Sequence, residues 1–156
     1  MLTNRLAMFF VVAGALALGA SDQPALDLWK ADELKTRAKA LGAKAKKNAF
    51  KSANETVAVR GNQTYMVAHR EGNGQAEWHE TDADIIVIVE GNVTLVYGGT
   101  IVSGKPSGPG EIRGDSIADG KQVQLKAGDI FHIPAKTSHQ MMVTGELNYF
   151  VAKVHE

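Results

Sequence analysis

From residue 56 onward, the sequence is a series of short apolar or alternating segments separated by turns rich in glycine and asparagine. Segments of this length and composition predict β-strands, and no helical repeat lies between them. Many short strands joined by tight turns are typical of an antiparallel sandwich or a jelly-roll barrel, so we expect a mainly β fold. The predicted strands are 64–69, 84–90, 92–96, 100–102, 122–125, 130–133, 140–143 and 147–154.

The stretch from Ser103 to Gly120 departs from this pattern, because Pro106, Pro109 and several glycines interrupt it. We predict one long loop here. A loop of this length in a compact domain is either a lid over a site or a mobile segment.

The first twenty residues have a different character. Arg5 is followed by an uncharged apolar run, residues 6–20, that ends in small side chains. This is the layout of a secretory signal peptide with a cleavage site near Ala20, so we expect residues 1–20 to be removed and the mature protein to be secreted or periplasmic. The alternative is a permanent membrane anchor, which the short apolar run disfavours, and we expect no stable membrane span in the mature form.

Residues 21–55 are predicted to form a basic helical arm in front of a β-barrel domain at 56–156. The arm is rich in lysine, giving residues 25–52 a net charge of +5 against −5 for residues 53–156. Apolar residues at three- to five-residue intervals predict one helix that packs on the barrel, with Asp32 in its first turn and Gly42 as a break. Because aromatic residues are not interleaved with the lysines, we expect no nucleic-acid partner. The apolar positions are Leu26, Trp29, Leu34, Ala38 and Leu41.

The chain of 156 residues contains no cysteine, which excludes disulfides, thiolate zinc sites and thiol nucleophiles. It has no Gly-x-Ser-x-Gly motif, so a nucleophilic hydrolase is disfavoured. Phosphate-binding loops and dinucleotide fingerprints are absent as well.

Two segments about fifty residues apart combine imidazole and carboxylate groups with predicted buried strands. One runs from Glu77 through His79 and Asp84 to Gly91, and the other from Gly128 through Pro134 to His139. Neutral imidazoles and carboxylates suit Mn, Fe, Ni, Zn or Cu. The two segments therefore predict a single site for a divalent transition metal.

These segments resemble the two motifs of the cupin superfamily. The first motif is glycine, five residues, His-x-His, three or four residues, glutamate, six residues and glycine. The second is glycine, five residues, Pro-x-Gly, two residues, histidine, three residues and asparagine. Gly128, Pro134 and His139 match the second motif, and Asp84 followed by Gly91 matches the end of the first. The resemblance covers roughly residues 56–154 and is strongest to small exported single-domain cupins with a charged N-terminal helix.

The resemblance implies an antiparallel jelly-roll β-barrel and, through matched positions, a ligand set. Counting back from Asp84 places His79 and Glu77 at the two histidine positions of the first motif, so the implied ligands are Glu77, His79, Asp84 and His139. In the alternative alignment, His79 is the first ligand and Thr81 replaces the second. Lys136 and Val143 stand where the family has glycine and asparagine.

Side chains alternate between the two faces of a strand, so their spacing shows which of the implied ligands could share one face. Glu77 and His79 are two residues apart and share a face, as does Thr81. Asp84 has the opposite parity unless a bend or bulge intervenes. The alternative for Asp84 is a carboxylate that caps the turn before the apolar strand.

Three further residues are candidates for catalysis. Tyr65 and Glu80 are candidates for proton transfer, and Arg113 is a candidate anion clamp or, alternatively, an ordinary surface charge. His132 is expected to be a core or rim histidine. His69 and His155 are expected to have no functional role.

Two functions follow from these observations. The first is a metal-dependent enzyme of the oxygenase, isomerase or lyase type that acts on a small polar substrate. The second is a non-catalytic cupin that binds a small molecule such as a sugar, or serves as a scaffold. In either case, the family resemblance implies a homodimer.

Overall fold

The computed structural model describes residues 26–156, so the predicted signal peptide lies outside the described residues. Two helices, α1 (Ala31–Ala40) and α2 (Gly42–Lys46), come first. Within the described part of the chain, no helix is long and apolar enough to cross a membrane. The strands are β1 (Ser52–Arg60), β2 (Gln63–Arg70), β3 (Ala76–His79), β4 (Asp82–Glu90), β5 (Asn92–Tyr97), β6 (Thr100–Val102), β7 (Lys105–Gly108), β8 (Glu111–Gly114), β9 (Ser116–Ala118), β10 (Lys121–Lys126), β11 (Ile130–Ile133), β12 (His139–Met142) and β13 (Leu147–His155).

The strands form two main antiparallel sheets that face each other. One has the order β1-β2-β13-β4-β11 and the other β10-β5-β12-β3-β8-β7, while β6 and β9 form a separate pair. Apolar side chains from both sheets fill the space between them, which is the arrangement of a jelly roll. The predicted mainly β jelly roll with an N-terminal helix is therefore confirmed. The core residues include Ile86, Ile88, Leu95, Ile133, Leu147 and Val151.

Helix α1 covers the outer face of the five-stranded sheet. Leu34 and Ala38 are buried against Val67, and Trp29 and Phe150 complete this second apolar cluster. The outer face is therefore covered beside Val67, Phe150 and Val89, the last of these in β4, whereas Ile85 nearer the start of β4 is 39% exposed. This cover partly explains why β4 is an almost continuous apolar run rather than an alternating one.

The N-terminal arm differs from the prediction in two respects. The helix ends near Leu41 and a second short helix begins at Gly42, so one predicted helix is two. Leu26, predicted to pack on the barrel, is 85% exposed.

The predicted loop at 103–120 is wrong, because this region contains β7, β8 and β9. The strands are only three or four residues long. β7 and β8 pair as a hairpin, β8 also pairs with the distant β3, and β9 pairs with β6. Pro106 lies in β7 at the edge of the six-stranded sheet, where a missing backbone N–H is tolerated. Likewise β1, which crosses the predicted boundary between the arm (21–55) and the barrel domain (56–156), has too many exposed polar residues to show a strand pattern.

Two turns require glycine. Gly91 and Gly128 have φ angles of +94° and +93°, and a Cβ at Gly91 would overlap the carbonyl oxygen of Glu146. Lys136, which stands where the family resemblance expects glycine, also has a positive φ of +63°.

Candidate metal centre

Two histidines and two carboxylates converge at one end of the space between the sheets. Glu77, His79 and His139 each place a ligand atom within 4.8 Å of the others. Asp84 lies beside this compact set, with Oδ2 at 3.4 Å from Nε2 of His79 and 3.7 Å from Nε2 of His139. Glu77 Oε2 is 3.6 Å and 3.7 Å from the same two nitrogens. The structure thus brings together all four residues predicted as metal ligands.

Strand register explains this convergence. Glu77 lies directly opposite His139 where β3 pairs with β12, and His79 follows two residues later on the same face of β3. Asp84 approaches from β4 in the facing sheet. The cluster therefore bridges the two sheets.

The structure also distinguishes Asp84 from Thr81. Strand β3 ends at His79 and β4 begins at Asp82 in the other sheet, so the alternation along β3 does not continue to Asp84. Asp84 is 5% exposed and lines the cavity, whereas Thr81 is exposed to solvent. The parity objection to Asp84 does not hold, because the chain turns between the two sheets.

Both imidazoles are oriented by their Nδ1 atoms. His79 Nδ1 lies 2.6 Å from Oε1 of Glu111, the residue directly opposite on β8. His139 Nδ1 donates to the carbonyl oxygen of Thr137 at 3.0 Å. When Nδ1 carries the proton, Nε2 presents its lone pair, which is the arrangement that metal-binding histidines use.

Each of the two ligand carboxylates pairs with a cation. In both cases the cation belongs to the residue directly opposite on the neighbouring strand. Arg113 on β8 contacts Glu77, and Lys153 on β13 lies 2.9 Å from Oδ1 of Asp84. Burial raises the pKa of each carboxyl, but the two histidines and these cations hold both pKa values below their usual range. Glu77 and Asp84 are therefore ionised near neutral pH.

The charge of these carboxylates acts on His79. Burial alone lowers the pKa of His79, but the nearby carboxylates of Asp84 and Glu77, 3.4 and 3.6 Å from its Nε2, outweigh this effect and raise it to about 9. Without a metal, the carboxylates thus favour a proton on the imidazole. A metal ion would take the place of that proton, because metal binding requires the neutral ring.

The residues fit a divalent metal ion. Nε2 of His79 is fully buried and has no hydrogen-bond partner within residues 26–156. Two ligands about 2.0–2.2 Å from a tetrahedral ion are about 3.3–3.6 Å apart, close to the separations between histidine nitrogens and carboxylate oxygens. The donor set of imidazoles and carboxylates is one that Mn, Fe, Ni, Zn and Cu accept.

Of the three predicted catalytic residues, one lines the cavity and two lie outside it. Arg113 lines the cavity and bridges Glu77 and Glu111. Tyr65 packs against Trp29 under the helix on the outer face of the sheet. Glu80 is exposed beside Gly110. Neither Tyr65 nor Glu80 lines the cavity.

The sequence reasoning missed Glu111 and Lys153. Glu111 shares the parity of Arg113, which is the signal that could have identified it, once this region had been assigned to a strand. Lys153 is a cation within an otherwise apolar strand. Neither His132 nor His155 belongs to the metal site, because both side chains are exposed to solvent.

A cavity of about 340 Å³ opens at the cluster. This volume is within the range of small-molecule sites. Its walls come from both sheets and combine the charged residues of the metal site with other polar and apolar side chains. The apolar wall consists of Met66, Ala68, Ile86, Met141, Tyr149 and Val151.

No protein-family model and no curated protein matches this chain. Among solved structures, it is similar to protein NMB1881 from Neisseria meningitidis, with a TM-score of 0.52, 15% identity, and coverage of 78% of this chain and 95% of that chain. It is also similar to a conserved protein with a double-stranded β-helix domain from Klebsiella pneumoniae, with a TM-score of 0.50, 17% identity, and coverage of 67% and 72%. A further match is hydroquinone 1,2-dioxygenase PnpCD in complex with Cd2+ and 4-hydroxybenzonitrile, with a TM-score of 0.49 and 15% identity, where 65% of this chain spans 63% of that chain. The likeness to the Klebsiella protein shows a shared double-stranded β-helix fold.

Proposed function

We propose that this chain, which has the fold of the cupin superfamily, holds one divalent transition-metal ion and acts through it on a small polar substrate. The ligands are Glu77, His79, Asp84 and His139. The observation that carries the proposal is the buried Nε2 of His79, which has no hydrogen-bond partner within residues 26–156 and lies between two ionised carboxylates.

A bound ion of this kind supplies Lewis acidity toward a substrate oxygen or, when it is redox-active, oxidation chemistry. The chain's own residues prepare the site for it. Glu111 fixes the ring of His79, and Arg113 and Lys153 hold Glu77 and Asp84 in place. The apolar part of the cavity wall offers a surface for the carbon atoms of a substrate. These features support an enzyme of the oxygenase, isomerase or lyase type.

One observation favours the alternative of a non-catalytic cupin that binds a small molecule. Tyr65 and Glu80, the residues expected to transfer protons, lie outside the cavity. Tyr149 does line it, but burial raises the pKa of its phenol, so it is a poor base. Glu77 and Asp84 are already engaged by cations.

Elemental analysis by plasma mass spectrometry tests the metal site. Wild-type protein should carry near-stoichiometric metal, and a His79→Ala, His139→Ala double variant should carry almost none. A His132→Ala, His155→Ala double variant is the matched control, because both of its histidines are exposed. Metal-free wild-type protein, or equal metal in the two double variants, would contradict the proposal.

Export and dimerisation are parts of the same proposal. The apolar run at 6–20 supports a leader that is removed near Ala20, which N-terminal sequencing of the mature protein would reveal. Sedimentation at micromolar concentration should give the mass of a dimer. An intact N-terminus would contradict the proposed export, and a monomer would contradict the proposed dimer.

A further inference from the structure

The cavity contains one cation that the metal site does not use. Arg70, the last residue of β2, is 7% exposed and lines the same cavity as the four ligands. Its Nε and Nη1 atoms are buried without a hydrogen-bond partner within residues 26–156. A buried guanidinium without an anion is strongly unfavourable, since all five of its N–H groups are donors. Arg113 and Lys153, by contrast, are both paired with carboxylates.

The guanidinium of Arg70 lies next to Gly74. Its Nη1 lies against the backbone of Gly74, so that a Cβ at Gly74 would be 3.1 Å from Nη1 and 3.3 Å from the carbonyl oxygen of Met141. The Gly74 N–H donates to that same Met141 oxygen at 2.7 Å. Because Met141 is two residues from His139 along β12, Arg70 is roughly 7 Å along the strand direction from the metal ligands.

The charges around the cavity also favour an anion. Three cations, Arg70, Arg113 and Lys153, lie with three carboxylates, Glu77, Asp84 and Glu111, and Asp82 adds a fourth carboxylate 3.8 Å from Lys153. A divalent metal ion would add two positive charges and leave this set with a net positive charge. A negatively charged ligand would compensate it in a region of low dielectric.

We propose that Arg70 binds the carboxylate group of a small organic acid whose second oxygen group lies next to the metal. The planar guanidinium fork matches the two oxygens of a carboxylate, and the apolar side chains of Met66, Ile86 and Met141 in the same cavity suit an organic acid better than inorganic phosphate. Tyr149 offers a neutral O–H at the same wall, and Met66, Ile86 and Met141 contact the carbon skeleton. The contact between the second oxygen group and the metal rests on the proposed function. The contact between Arg70 and the carboxylate does not.

Calorimetric titration of the zinc-loaded protein tests the inference. The probes are pyruvate, malonate and benzoate, each compared with its neutral amide. An Arg70→Met variant should bind the preferred acid about 10- to 100-fold more weakly than wild type and bind the amides equally well. Its zinc content should not change. Arg70→Lys should recover part of the affinity, and Arg60→Met, which removes an exposed arginine paired with Asp27, should behave as wild type.

Three results would overturn the inference. They are equal binding of the acids by Arg70→Met and wild type, binding of none of the acids by the wild type, and tighter binding of inorganic phosphate than of every acid. Thermal unfolding of Arg70→Met confirms that the variant is folded. If wild-type protein holds no metal, the proposed function fails, but the same titrations on the metal-free protein still measure the contact between Arg70 and the carboxylate.

Discussion

His69 and the pair His79 and His139 are buried to a similar degree, with exposed fractions of 2%, 4% and 4%. Their surroundings differ. Both ring nitrogens of His69 have oxygen partners, Nδ1 with Asn148 Oδ1 at 2.7 Å and Nε2 with Glu71 Oε1 at 3.1 Å. In His79 and His139 only Nδ1 is satisfied in this way, and Nε2 faces the space between Glu77 and Asp84.

The His69 network is structural. Asn148 donates in turn to Glu90, which pairs with Lys39 of α1, and Glu71 pairs with Lys46 of α2. The network thus connects both helices to the barrel. The comparison teaches that burial of a histidine does not identify a site, whereas an unsatisfied ring nitrogen between carboxylates does.

The largest expected effect is on the free energy of unfolding, which should fall more when the ring of His69 is removed than when that of His139 is removed. His69→Ala should lower the free energy of unfolding by about 2–4 kcal/mol, because it leaves a cavity and removes the partners of Asn148 and Glu71. In metal-free protein, His139→Ala should cost about 1 kcal/mol, since its ring borders the open cavity. Denaturant unfolding of both variants measures this difference. Metal content should be unchanged in His69→Ala, and equal destabilisation by the two changes would break the comparison.

The second prediction concerns pH. The folded pKa of His79, about 9, is above its unfolded value of 6.5, so its contribution to stability is present below pH 6.5 and is lost as pH rises through 9. Metal-free protein should lose on the order of 2–3 kcal/mol over this range. The lowered pKa values of Glu77 and Asp84 act in the opposite direction, and their contributions are lost as pH falls through acid values.

Unfolding curves between pH 6.5 and 9.5 measure the His79 contribution. His79→Gln should flatten the dependence on pH in this window. A wild-type protein whose stability is constant up to pH 9.5 would show that the carboxylates do not act on His79 as the structure indicates.

The third prediction compares the two carboxylates that contact histidine rings. Glu111→Gln should weaken metal binding about 10- to 100-fold, because this carboxylate orients His79. Glu71→Gln, the matched change beside His69, should leave metal affinity as it is. Competition with a chelator gives both dissociation constants, and similar values for the two variants would assign no special role to Glu111.

The smallest expected effect lies in the turn that leads to His139. Lys136 has a positive φ, and its N–H donates to the His79 carbonyl at 2.7 Å. Lys136→Gly should stabilise the fold by about 0.5–1 kcal/mol without changing metal affinity. Lys126→Gly in β10 is the control and should destabilise. Thermal unfolding of both variants measures these changes. A loss of stability in Lys136→Gly would show that the lysine side chain itself stabilises the fold.

Much of the fold could be predicted from local patterns. β4, β5, β11 and β13 were predicted to within a few residues, because their apolar runs are bounded by turns such as Gly91-Asn92 and Gly128-Asp129. β7, β8 and β9 were missed, because they are only three or four residues long and the prolines and glycines around them indicate turns. Pairing with β3 and β6 fixes β8 and β9 in the fold rather than their own propensity.

The sequence by itself determined the β-rich architecture and the turns that need glycine, and its resemblance to the cupin motifs implied the candidate ligands Glu77, His79, His139 and either Asp84 or Thr81. Only the tertiary structure decided that Asp84 rather than Thr81 faces the cluster, that Glu111 and Lys153 support it, and that Nε and Nη1 of Arg70 have no partner within residues 26–156. The physical reason is that these contacts follow from the register between strands and from the facing of two sheets, which are set by the packing of the whole domain.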